Sequence, residues 1–195
     1  MNRRPLLLVA LMIALALPAV ASQFQEQSFD AIARSSNAVV RGEVVSLYSA
    51  WDESREVIFT YATVRVKNYF ADTTGPDMII VREVGGTVDD YTQEAIGFPA
   101  LRQGEEVVLF LSKWEDNGDY RINAFNQGKF LVRGRKNGDV LTADARTQGA
   151  GRENGLRQET NAAIEDETPG MTIDEFTGMV EMARMGASRD VLERQ

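Results

Sequence analysis

The chain has 195 residues, a formal charge of −8, and neither histidine nor cysteine. Those absences exclude serine–histidine–acid and cysteine–histidine triads, disulfides and most zinc sites, leaving carboxylates, hydroxyls, lysines and surface recognition as the chemistry at hand. The acidic balance repels phosphate backbones, so no nucleic-acid partner is expected.

Residues 1–21 have the layout of a secretory signal peptide: Arg3 and Arg4, an apolar run over 6–17, then Pro18 and the small-residue site Ala19-Val20-Ala21 before Ser22. The apolar run is shorter than the roughly 20 residues a membrane-crossing helix needs, and no later stretch approaches that length. Cleavage after Ala21 is expected, giving a periplasmic or secreted product with no membrane span. It removes Arg3 and Arg4 and no acid, which takes the charge from −8 to −10. An exported core without cysteine must hold without covalent staples, and about 120 patterned residues suffice for that.

Ser28 suits the N-cap of a short helix carrying Phe29, Ile32 and Ala33 on one side. Residues 38–51 are rich in β-formers, and the valine pairs on either side of Arg41-Gly42-Glu43 predict a switch of inward face, with Gly42 at a bulge or coiled bend. After a polar turn at Asp52-Glu53-Ser54-Arg55, residues 57–70 alternate. Ile58, Ala62, Val64, Val66 and Phe70 share one parity; Tyr61, Thr63, Arg65 and Lys67 take the other. A third strand is predicted over 78–84, then Gly85-Gly86 and an irregular stretch over 87–103. A fourth, over 105–114, holds Val107, Val108, Leu109, Phe110 and Leu111 without alternation, as a strand covered on both faces would.

Asn117-Gly118 and Asn137-Gly138 suit the primed turns of hairpins, the first leading into a strand over 120–125, the second joining strands over 129–133 and 139–142. The pattern predicts a mainly β domain over 22–143, a small antiparallel barrel of six or seven strands, because closure removes exposed edges. Residues 144–170 read as a polar linker. A C-terminal helix over 171–186 follows: Thr172 and Glu175 fit a capping box, Met171 and Phe176 a staple, and Phe176, Met179, Val180 and Ala183 form a stripe ending at Gly186. One helix cannot bury its own stripe, so it docks on the barrel or on a partner.

Candidate sites are few, and no catalytic residue and no cofactor is expected. Asp116-Asn117-Gly118-Asp119 lacks the ligand spacing of a calcium loop and reads as a turn, while Asp89, Asp90 and Glu94 form a weak candidate for a divalent ion. Gly85 and Gly86 precede no nucleotide-loop lysine and suit positive φ or close backbone approach. Asn126-Gln127-Gly128-Lys129-Phe130 reads as a bend; its functional alternative sets Gln127 and Lys129 on a rim facing a ligand. Trp51 and Trp114, near strand ends, suit barrel plugs or recognition anchors.

The strings Val39-Val40-Arg41-Gly42-Glu43-Val44-Val45-Ser46, Tyr61-Ala62-Thr63-Val64-Arg65-Val66, Gly85-Gly86, Gly104-Glu105-Glu106-Val107-Val108-Leu109-Phe110-Leu111 and Gln127-Gly128-Lys129-Phe130 resemble a group of exported bacterial proteins of uncharacterised function. They resemble, more distantly, the OB-type barrel of netrin-like domains and tissue inhibitors of metalloproteinases. The resemblance covers residues 38–132 and implies an OB-like barrel, with a secreted metalloprotease as candidate partner. Those inhibitors chelate zinc through an N-terminal cysteine, which this chain lacks, so the fold carries over and that mechanism does not. The leading expectation is an exported, non-enzymatic module that binds a protein or peptide partner in the cell envelope. The alternatives are a carboxylate-dependent carbohydrate-active or divalent-ion-dependent enzyme, and a structural envelope protein.

Overall fold

A computed structural model describes residues 27–143, apart from 72, 116, 117, 136 and 137, and residues 170–186. The expected signal peptide, nearly all of the expected linker, Asp116 and the asparagines of both Asn-Gly turns lie outside these residues.

Helix α1 (Phe29–Ser35) starts at Ser28, whose hydroxyl accepts from the Ala31 N–H. It leads into β1 (Ala38–Trp51), which pairs antiparallel with β2 (Ile58–Tyr69) through register shifts at Arg41/Gly42 and Val44/Ser46. Gly42 is required there by close approach: a Cβ would stand 2.6 Å from Val64 Cγ1 and 2.7 Å from the Arg65 carbonyl oxygen. The shifts let one long strand coil, so that it faces β2 along most of its length and β6 (Glu106–Lys113) at its start.

β3 (Met78–Val84) lies beside β2, and the strands run β1-β2-β3-β7-β6 around the barrel, β7 being Tyr120–Ile122, before β6 returns to β1. Two features differ from the expected antiparallel barrel of six or seven strands. Closure takes five strands, and β3 pairs with β7 in parallel at Val81 and Tyr120. The chain supplies β6 before β7, so β7 fills the gap between β6 and β3 running antiparallel to one and parallel to the other.

A third difference lies in the stretch expected to be irregular. It contains a hairpin, β4 (Gly86–Val88) and β5 (Tyr91–Gln93), turned by Asp89 and Asp90. Asp89 has φ +52°, a conformation aspartate tolerates better than most residues, so the acidic pair is explained as a turn. Among the described residues no group of three or more acids stands close enough to hold a metal ion.

Beyond the barrel, β8 (Lys129–Arg135) adds to β6, β9 (Gly138–Ala143) to β8, and the two-residue β10 (Met171–Thr172) to β9. Helix α2 (Ile173–Arg184) follows at once, closed by a capping box in which Thr172 Oγ1 accepts from the Glu175 N–H and the Glu175 carboxylate accepts from the Thr172 N–H. α2 packs against α1 on the outside of the barrel, and Arg184 donates to the Ser36 carbonyl at 2.9 Å. The C-terminal helix therefore docks on its own barrel. No helix among the described residues is long and apolar enough to cross a membrane.

Two cores result. The first fills the barrel with Val40, Val44, Ala62, Val64, Val81, Val107, Leu109 and Leu111; the second lies between the barrel wall and the helices. Phe176 is its hub, meeting Phe29, Phe70, Phe110 and Phe130 edge-on at 5.2–5.9 Å between ring centroids. Phe176→Ala should cost about 3–5 kcal/mol in urea unfolding, since it leaves a cavity that four rings border. A loss below about 1 kcal/mol would show that α2 contributes little to the fold.

Candidate functional site

Inward alternation along β3 places Ile79, Val81 and then Glu83 toward the barrel interior. Glu83 is 7% exposed and lines a cavity of about 210 Å³ at the barrel mouth, with Thr60, Gln93, Phe98 and Leu101 among its walls. The β4–β5 hairpin folds over this mouth. Gly85 and Gly86, at φ +101° and +140°, make that possible, and a Cβ on Gly86 would lie 2.4 Å from Ser49 Oγ and 2.5 Å from Thr60 Oγ1. Thr60 donates to the Gly85 carbonyl, and Gln93 Oε1 accepts from the Ile58 N–H at 2.6 Å, which fastens the hairpin to β2.

Glu83 Oε1 accepts from the Ile122 N–H of β7, and no described residue bonds its other oxygen. Burial pushes the carboxyl up to about 8, against the smaller opposing effects of that hydrogen bond and of the Arg121 guanidinium. At neutral pH it is a protonated acid. It is also the one titratable side chain in the described lining, so two-carboxylate chemistry lacks its second member there.

The sequence candidates do not converge on one place. Gly85 and Gly86 form the hinge over the mouth. Trp51 ends β1 with its ring 5.9 Å from that of Tyr91 at the hairpin. Gln127 and Lys129 line a separate hollow of about 230 Å³ beside α1, where Gln127 Oε1 accepts from the Gln27 N–H.

Lys129 does not offer its ammonium to a rim. Its side chain is fully buried, donating to Glu105 Oε2 at 3.0 Å and to the Ala100 carbonyl, because β8 alternation sets it on the inner face with Leu131. Asp89, Asp90 and Glu94 are exposed around the β4–β5 turn.

Trp114 belongs to the outer face of β1–β3, which the helices leave uncovered. Its indole donates to the Arg82 carbonyl at 3.0 Å, and the guanidinium groups of Arg82 and Arg121 lie 4.5 and 5.2 Å from its ring. Phe59 meets the same indole edge-on at 5.9 Å. One register step along, Tyr48 and Tyr61 are cross-strand partners with rings stacked at 4.9 Å and 7°, and Tyr48 is 56% exposed. Sequence reasoning missed Glu83, although its parity with Ile79 and Val81 was a signal, and it missed the pairing of Tyr48 with Tyr61, which register alone decides.

Set against protein-family models, curated proteins and solved structures, the chain matches none. Its surfaces are read on their own chemistry.

The pH dependence of stability follows from Glu83. Below about pH 4.5 its carboxyl is protonated folded or unfolded; between there and about 8 only the unfolded chain ionises it, so stability falls as pH rises, by up to about 5 kcal/mol. With no histidine or cysteine in the chain, no other side-chain type ordinarily titrates in the middle of that window. Urea unfolding from pH 5 to 8 should show this decline, and Glu83→Gln should flatten it; an equal slope in both proteins would refute the assignment. By contrast, Lys129→Ala should destabilise by about 3–5 kcal/mol at pH 7, because it removes the buried ammonium that pairs with the largely buried Glu105 carboxylate. A change within 1 kcal/mol in the same assay would contradict that ion pair.

Proposed function

We propose that the protein is an exported, non-enzymatic binding module with an OB-like barrel, and that it recognises a protein or peptide partner in the cell envelope through the outer face of β1–β3. The observation that carries this reading is the stacked, solvent-facing Tyr48–Tyr61 pair beside the Phe59, Arg82 and Trp114 group. Tyrosine, tryptophan and arginine dominate the energetics of protein interfaces, where they supply large contact area at small entropic cost. Five-strand closure supports the OB-like description, with β1 pairing both its sequence neighbour and a distant strand. Export rests on the leader pattern of residues 1–21.

A secreted metalloprotease is the candidate partner that the resemblance suggests. The chain has no cysteine with which to chelate a catalytic zinc, so on this reading the contact is made by the aromatic face. The carboxylate-enzyme alternative gains one buried acid in Glu83 and no second acid in the described lining.

The test is crosslinking of the mature protein to an envelope extract, with Tyr48→Ala and Tyr61→Ala as the deciding variants. Loss of a hot-spot ring costs 2 kcal/mol or more, so capture of a specific partner should drop by about 30-fold while the melting temperature stays near the parent value. Capture unaffected by both substitutions would move the interface elsewhere.

A further inference from the structure

The barrel-mouth cavity holds a buried acid of which the fold uses one oxygen and the outer face neither. Glu83 Oε1 is taken by the Ile122 N–H, and Oε2 is left for an occupant. Around it Ala62, Phe98, Pro99 and Leu101 present apolar wall. We propose that this cavity is a binding site for an aliphatic primary ammonium group, which reaches Glu83 Oε2 while its alkyl stem lies along the apolar wall.

Three observations select that chemistry. A single available oxygen suits the point charge of an ammonium and cannot satisfy the two-pronged fork of a guanidinium. The apolar walls match a methylene stem that carries its charge at one end. The chain's charge of −8 draws cations and repels anions.

The charges around Glu83 leave the position open. Arg121 acts on it from β7. Arg82, its neighbour on β3, turns outward onto Trp114, and Lys129, which donates to the Ala100 carbonyl, pairs with Glu105.

Because Glu83 holds its proton up to about pH 8, an arriving ammonium must expel it. Affinity should therefore rise about tenfold per pH unit between pH 6 and 7 and level off near 8.

The experiment is calorimetric titration of the full chain with n-butylammonium at pH 6, 7 and 8, in buffers of different ionisation heat. Expected are saturable binding with release of nearly one proton at pH 6, at least tenfold weaker binding of n-butylguanidinium, and no binding of n-butanol. Glu83→Gln should abolish binding while keeping the far-ultraviolet circular dichroism of the parent. Ala100→Trp, at an exposed position of the rim, should occlude the site without touching the acid, so the result does not hang on one variant.

A second arm replaces n-butylammonium by Nα-acetyl-lysine N-methylamide: equal affinity assigns the site to a lysine side chain of a polypeptide, and failure of this ligand alone assigns it to a free amine. Binding that is independent of pH, that survives Glu83→Gln, or that is absent at pH 8 overturns the proposal. This site goes beyond the outer-face reading, and the titration involves no partner, so failure of either leaves the other standing.

Discussion

Because Val107, Leu109 and Leu111 face the barrel interior while Val108 and Phe110 face the helices, β6 is buried on both sides and its backbone has no water to bond. Every amide and carbonyl along it needs a partner strand on each edge. β1 supplies one edge from Ala38 to Glu43. The other is divided, with β8 taking Val107 to Leu109 and β7 taking Leu111 to Lys113. Barrel closure and the outer extension of the sheet are thus two answers to one demand. Each nearly fully buried side chain on β6 contributes about 1.5–3 kcal/mol, which is where a chain without disulfides must find its stability.

Lys129 and Glu83, both buried near the barrel mouth, are handled in opposite ways. Lys129 is buried as a charge and answered by Glu105 and a backbone carbonyl, so its removal would cost the ion pair rather than relieve strain. Glu83 is buried with one backbone hydrogen bond and the charge of Arg121, too little to keep it ionised at neutral pH. A carboxyl that stays neutral at a cost in stability is unusual where an alanine or valine would pack, as Ala62 and Val81 do beside it. That contrast marks Glu83 as a group the cavity needs for something other than folding.

Local chemistry was legible from the sequence and long-range pairing was not. Ile58, Ala62 and Val64 announced their face by alternation, Val107 to Leu111 announced double burial by its absence, and Thr172 with Glu175 announced the helix start. Each of these signals lies within a few residues. The parallel pairing of β3 with β7 has no such signature, since one contact at Val81 and Tyr120 joins segments far apart in the chain. The β4–β5 hairpin escaped because its turn is Asp89-Asp90, without the glycine that usually marks a two-residue loop. Lys129 was misplaced for a related reason: a lysine reads as exposed until its partners, Glu105 and Ala100, are brought in by the fold. Glu83 was missed by the same prior applied to an acid.

The two outer faces of the barrel are finished differently, and a charged seam borders the helical side. Arg41 bonds Glu106 and Asp139, and Lys67 bonds the second oxygen of Glu106. Burial alone would raise the Glu106 carboxyl, but the hydrogen bonds from Lys67 and Arg41 outweigh it and hold the group below its ordinary range. On the helical side, apolar residues are covered by a second layer, as a sheet face ordinarily requires. On the β2–β3 side the residues cover one another: Arg82 lies against both Phe59 and Trp114, and Tyr61 lies under Tyr48. Mutual stacking fixes these side chains in place before anything arrives. Ordering of side chains is one of the main costs of association, so a face that has already met that cost in folding retains more of its contact energy for binding. The same stacking explains how large rings persist at the surface without collapsing into the core, since each shields its neighbour's flat face from water.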